Sequence, residues 1–325
     1  MRSNAAVVLN NIGGGINVWV DRLPSVGESV MGFGFDVPMD LAKGGNVAVA
    51  LERLGVPTAI VGKLGCDAAG ERDTKWLMDA GVDCEHLLHS PEARTGQGLG
   101  INEVGTGRNL IVTGETSSKW LSFDEVEHAL RALEGAQYFV TGFEIKEELV
   151  LPAAKLAHEL GMKVFLNPSP LPKLTMGALP YVDCLIVNDI EAKKLLELDE
   201  GRPFDAKAAC YALEEKYETK QVIITLGGEG YAGLDHGSFF SGEQVHIPPE
   251  ELADTSGAGD GFLSAVIANL YWGKGLEEAC SWANKYAARV VTVEGTVMGY
   301  STVEELTEFC ASHGVTLNQV RKPCS

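Results

Sequence analysis

Asp254-Thr255-Ser256-Gly257-Ala258-Gly259-Asp260 is the stretch on which the reading of this chain turns. An extended run at 244–248 precedes it. Phe262, Leu263, Val266, Ile267 and Leu270 follow at spacings that share one helix face. The pattern predicts a strand, a glycine-rich turn, and a helix that starts inside the motif. Glycines let a ligand approach the backbone closely. The first N–H groups of a helix have no internal partner and attract anions. Asp260 falls in the first turn, beside them. That pairing suits phosphoryl transfer. The N–H groups of Gly257, Ala258 and Gly259 hold the negative charge that develops on the moving group, and Asp260 takes the proton of the attacking hydroxyl. A helix start with a favourable first-turn acid would also explain Gly-Ala-Gly-Asp alone. The preceding Asp-Thr and the two flanking elements weigh toward the chemical reading.

The whole run resembles the C-terminal signature, D-T-x-G-A-G-D, of the ribokinase-like (phosphofructokinase-B type) carbohydrate kinases. That resemblance implies an ATP-dependent sugar kinase with magnesium, and Asp254 as the side chain beside a monovalent cation, K+, with Gly295 in the second loop of that site. Other segments resemble the family in the same order. Ala42-Lys43-Gly44-Gly45-Asn46 is similar to its N-terminal signature, whose glycines and asparagine face sugar hydroxyls; here Leu41-Ala42 replaces the usual opening glycine pair. Asn188-Asp189-Ile190-Glu191 is similar to N-x-x-E, in which Asn188 serves the nucleotide phosphates and Glu191 magnesium, through water. By residue type alone, Asp189 is an N-cap and Glu191 a first-turn acid. Thr225, Gly227 and Gly230 match a T-L-G-x-x-G segment bordering the nucleotide. Asn284, on a late helix of small residues, matches a position beside adenine. One departure stands out: Gly15 occupies the place of an aspartate that grips two sugar hydroxyls. Asn11 and Asn17 are the nearest polar substitutes. A carboxylate hydrogen-bonds hydroxyls more strongly than an amide does, so the expectation is a weakly held, unusual sugar.

The rest of the chain predicts the same architecture. Apolar runs at 5–9, 58–62, 138–141, 163–167, 184–188 and 221–225 alternate with helical patterns at 46–54, 70–80, 124–134, 147–160, 190–197 and 205–217. Strands alternating with helices imply parallel pairing, with ligands at the carboxyl ends of the strands. Two glycine-rich extended stretches, 16–38 and 95–113, interrupt this pattern. The expectation is therefore a ribokinase-like α/β three-layer sandwich over 1–325, with a mostly parallel central sheet. The two stretches pair as a small β-sheet lid over the sugar, and the lid offers a surface for a homodimer.

Competing readings fail on spacing. Gly228-Glu229-Gly230-Tyr231-Ala232-Gly233 matches G-x-G-x-x-G after a strand, but a turn follows where a dinucleotide site needs a helix. His158-Glu159 opens H-E-x-x-H, yet position 162 is Met. Position 57, where a P-loop would begin, is Pro. A formal net charge of −19 argues against nucleic acid and anionic membrane as partners. No apolar run reaches the ~18 residues of a membrane span. The 7 cysteines are odd in number and form no C-x-x-C pair, so a reducing cytoplasm is expected; the N-terminus runs into a strand pattern almost at once, so a leader peptide is not expected. Two alternatives remain open: a nucleoside kinase of the same family, and a sugar-binding regulatory protein that has kept the fold.

Overall fold

The computed structural model describes residues 3–34, 38–104, 108–113, 116–199 and 203–317. Gly105 and Gly107, within the second extended stretch, and Cys324 lie outside the described residues, as do residues 35–37. In chain order the strands are β1 (Ala6–Leu9), β2 (Gly15–Val20), β3 (Gly32–Phe33), β4 (Pro38–Asp40), β5 (Thr58–Gly65), β6 (Leu87–Ser90), β7 (Gly98–Glu103), β8 (Asn109–Thr113), β9 (Tyr138–Gly142), β10 (Lys163–Asn167), β11 (Cys184–Asn188), β12 (Gln221–Thr225), β13 (Tyr231–Asp235) and β14 (Ser238–Gly242).

Strand β1 shows why the main sheet is a middle layer. All four of its residues are buried, and successive side chains point to opposite faces. Ala6 and Val8 join one apolar cluster, with the Ala42–Arg53, Ala258–Tyr271 and Leu276–Val290 helices. Val7 and Leu9 join another, with the Phe123–Ala132, Glu147–Glu159 and Ala206–Tyr217 helices. Covered on both faces, such a strand reads as a continuous apolar run. The sheet has nine strands in the order β14-β13-β12-β11-β10-β9-β1-β5-β6. From β12 to β6 the pairs are parallel, while β13 and β14 add an antiparallel edge. This is the layered, mostly parallel α/β arrangement that alternating strands and helices predict.

A second sheet has the order β3-β2-β7-β8, with β4 also on β2. The two interrupting stretches thus meet: β2 runs parallel to β7, with Gly15 beside Gly98 and Val20 beside Glu103. Phe33, Leu110 and Val112 of this sheet are exposed.

Two sequence expectations need correction. Residues 244–248 form no strand. β14 ends at Gly242, and Pro248 and Pro249 cannot donate to a ladder. The first helix starts at Ala42, not Asn46, so Gly44 and Gly45 lie inside it. The Ala258–Tyr271 helix carries the apolar residues Phe262, Leu263, Val266, Ile267 and Leu270 as expected. It is buried from Asp260 to Asn269, because helices Ala42–Arg53 and Leu276–Val290 flank it. Among the described residues no helix is long and apolar enough to cross a membrane.

Candidate active site

The motif turns where expected. Gly257 has φ +73°, the left-handed region, and is the N-cap of the Ala258–Tyr271 helix, which no side chain caps. A Cβ there would strike the Thr296 Cγ2 and come within 2.6 Å of the Tyr300 hydroxyl. Only glycine fits both the dihedral and the space. Ala258 and Gly259 line a cleft of about 630 Å³, together with Asn188, Thr225, Gly227, Gly230 and Asn284. These come from the carboxyl ends of β11 and β12, the loop after β12, and the late helix. Residues 244–247 form another wall. So the structure brings together the residues that the sequence assigned to a nucleotide, and it turns the mistaken strand into part of their cleft.

Asn188, not Asp189, caps the Asp189–Leu195 helix. Its side chain accepts the Glu191 N–H at 2.7 Å, and the Glu191 carboxylate accepts the Asn188 N–H at 2.9 Å. Asp189 instead pairs with Lys193 at 2.8 Å, an exposed-helix i,i+4 contact worth a few tenths of a kcal/mol, about 0.3–0.5. The capping box fixes the Asn188 and Glu191 side chains at the helix start. Among the described residues no group of three or more His, Cys, Asp or Glu could cage a metal ion. Of the two acids at this helix start, Asp189 lines the cleft, while Glu191 is engaged in the capping box. Asp254 accepts the N–H of Ser256 at 2.8 Å and of Gly295 at 3.3 Å, so it ties the motif to the loop containing Gly295. The Asn284 amide, also buried, donates to the Glu243 carbonyl at 2.8 Å.

On the other side of Asp260 lies a polar cluster that sequence reading found only in part. Asp260 is buried. Lys43 Nζ stands 3.3 Å from its Oδ1, and Asn46 Nδ2 donates to its Oδ2 at 3.1 Å. The same Asn46 nitrogen donates to Asp40 Oδ1 at 2.7 Å, and Asn46 Oδ1 accepts the Leu41 N–H at 3.0 Å. The amide is thus engaged on both sides: it positions two carboxylates rather than lying free for hydroxyls. Glu144, just beyond β9, accepts the Lys43 N–H at 3.0 Å. It caps a helix whose N-cap residue, Leu41, offers no side-chain cap. Gly44 gives its N–H to the Asn11 carbonyl at 2.8 Å, and a Cβ on Gly44 would lie 2.5 Å from that oxygen. A Cβ on Gly45 would meet Leu41 at 2.5 Å. Both glycines therefore serve close packing. The buried Asn11 accepts a hydrogen bond from Thr116. Asn17 lies 3.5 Å from Asn102 on the second sheet. Ala42 holds φ +55°, so replacing the opening glycine leaves a non-glycine residue in left-handed backbone, a cost of about 1–2 kcal/mol.

Charge around Asp260 is unbalanced. The Asp260 carboxylate keeps Lys43 protonated far above neutrality. Burial raises Asp40 above the ordinary carboxylate range, and burial pushes Glu144 up to about 7, against the pull of Lys43. The folded protein therefore holds the Glu144 proton more tightly than the unfolded chain. The stability this contributes is complete below about pH 4.5 and is lost as pH rises toward about 7. Replacement Glu144→Gln removes that loss. In urea denaturation the variant should gain on wild type between about pH 5 and about pH 8. A wild-type-to-variant difference that stayed flat across that interval would show an unshifted Glu144.

Comparison with known proteins agrees with this geometry. The profile of the pfkB family carbohydrate kinases matches residues 43–302. A deoxyribokinase from Salmonella typhi is 28% identical over 300 residues, covering 90% of this chain and 94% of its own. A ribokinase from Mus musculus is 31% identical over 293 residues, covering 88% of each chain. The solved ribokinase of Arabidopsis thaliana, complexed with ribose and ATP, superposes with a TM-score of 0.76 at 24% identity, over 94% of this chain and 98% of that one.

Proposed function

The chain belongs to the pfkB family of carbohydrate kinases, and we propose that it transfers the γ-phosphate of ATP to a hydroxymethyl group of a small sugar. The observation that carries this reading is the position of Asp260. Its carboxylate stands at the start of an uncapped helix, between the cleft lined by Ala258 and Gly259 and the polar cluster of Lys43, Asn46 and Asp40. ATP lies in the 630 Å³ cleft, with Asn188, Thr225, Gly227, Gly230 and Asn284 around it. The sugar lies on the other side, against the second sheet.

Asp260 accepts the proton of the attacking hydroxyl, and Lys43 beside it keeps the pair's charge balanced before substrate arrives. The N–H groups at Gly257, Ala258 and Gly259 stabilise negative charge on the transferred group. Magnesium, held through water by Asn188 and Glu191, would neutralise charge on the phosphate oxygens. A potassium site beside Asp254 is part of the same reading: Asp254 and Gly295, the two segments assigned to it, meet in the fold. The second sheet acts as the lid and closes when sugar binds. Its exposed Leu99, Leu110 and Val112, which share one face by the register of β7 and β8, offer an apolar face through which two copies pair. A reducing cytoplasm, expected from an odd number of cysteines with no C-x-x-C pair, is the setting of this reading.

One assay tests the reading. ADP release is followed with ATP, Mg2+ and a panel of pentoses, hexoses and nucleosides, in K+ and in Na+ buffers. Turnover with a sugar is expected. Turnover with nucleosides alone would move the chain to a nucleoside kinase. Sugar binding without ADP release would make it a regulatory protein.

A further inference from the structure

Resting on the sugar-kinase reading above, we infer that Asp40 is a specificity-determining residue of the sugar site, whose carboxylate accepts the hydroxyls of a vicinal diol on a neutral sugar. The register of β2 and β4 carries this. Gly15 and Asp40 are direct partners in the antiparallel pair, and partners in such a pair present their side chains on the same face of the sheet. A Cβ built on Gly15 would lie 3.4 Å from the Asp40 Cβ and 3.7 Å from its Oδ2. The space left bare by Gly15 is therefore bordered by a carboxylate that reaches it from the neighbouring strand.

Around Gly15 the same face is polar, and Trp19 with Phe33 opposite it closes the face at its far end. By the two-residue period of a strand, Asn17 shares it with Gly15, and Gly98, Gly100 and Asn102 lie beside them on β7. Neither Gly98 nor Gly100 has a side chain, and the Asn17 side-chain oxygen Oδ1 lies over Gly100. Asp40 is coupled to the reacting centre: one Asn46 nitrogen donates to both Asp40, at 2.7 Å, and Asp260, at 3.1 Å. A hydroxyl pair held on Asp40 is thus placed at a set distance from the base.

The electrostatics choose the ligand class. Asp40, Glu144 and Asp260 face one cation, Lys43. A buried carboxylate supported mainly by an amide is costly unless something else donates to it. Sugar hydroxyls donate. A phosphorylated sugar or a sugar acid would add negative charge to an already acidic pocket and is disfavoured.

The test compares wild type with Asp40→Asn, Asp40→Ala and the exchange Gly15→Asp/Asp40→Gly. The sugars are D-ribose, D-fructose, D-ribose 5-phosphate and D-gluconate, with saturating ATP. In the two single variants KM for the neutral sugar should rise tenfold or more, a larger factor than any fall in kcat, while the KM for ATP changes little. The exchange, which returns a carboxylate to the same face, should recover most of the loss, and the two acidic sugars should be poor substrates throughout. Unchanged sugar KM in Asp40→Asn overturns the inference. So does a fall in kcat at constant KM, which would make Asp40 a positioning residue for Asp260. So does a preference for either anionic sugar. If Asp40→Asn does not fold, failure of the exchange to restore sugar KM decides against it. Wild type without turnover on any sugar overturns the kinase reading itself, a different outcome.

Discussion

Replacing Asp260 by Asn should lower kcat by about 10²–10⁴-fold, while ATP binding changes little. The substitution keeps the shape and the hydrogen bond from Asn46, if the new amide turns its oxygen toward it, but removes the proton acceptor. It also removes the carboxylate nearest Lys43, now 3.3 Å away at Oδ1, so some loss of stability will accompany the loss of turnover. Two measurements separate these effects: kcat under conditions in which chemistry limits the rate, and ATP affinity by calorimetry. If the variant kept more than about a tenth of wild-type kcat, a proton acceptor elsewhere would have to be sought.

The second large effect is expected at Gly257. In Gly257→Ala the methyl group meets Thr296 and the Tyr300 hydroxyl, and the backbone stays at φ +73°. Strain of this kind costs about 1–3 kcal/mol. The turn can relieve it only by moving the N–H groups that follow. Loss of an aligned donor at such a site typically costs about 10²–10³ in kcat, and the same order is expected here. Gly259→Ala is the control. Its added methyl would meet nothing within 4 Å, and alanine is the better helix former by about 1 kcal/mol. Urea denaturation should therefore show Gly257→Ala clearly destabilised and Gly259→Ala not. Equal stability of the two variants would mean that the turn at 257 is not a constrained position. Any loss of turnover in Gly259→Ala then reports on the cleft, which Gly259 lines, and not on folding.

The two substitutions, and the pH dependence expected of Glu144→Gln, differ in how legible their residues were beforehand. Asp260 and the glycines before it were readable because motif, turn and helix lie within a few residues of each other. Backbone N–H groups, an N-terminal carboxylate and an apolar periodicity are all local signals. The parallel strands were readable for a similar reason. A strand covered on both faces, such as Val7 between Ala6 and Val8, must be apolar at every position. Local signals also misled. Residues 244–248 look like a strand, but a strand needs a partner, and none lies beside them. The first helix was expected to begin at its apolar residues, near Asn46. It begins at Ala42 because Glu144, from the far side of the first strand, caps the Lys43 N–H.

What the sequence determined by itself was the layered α/β order, the glycine turn with its acid, and residues that come together along the cleft beside it. What the tertiary structure decided was the other half of the site. Asp40 stands opposite Gly15 only through the register of β2 and β4. Glu144 reaches Lys43 across 101 positions of the chain, and Asn46 reaches Asp260 across 214. Periodicity and propensity describe a residue's neighbours along the chain and which face it presents. They hold no term for which distant face will meet it. Carboxylates that are tolerable alone become a strained, shifted cluster only when folding brings them to one place and removes the water between them.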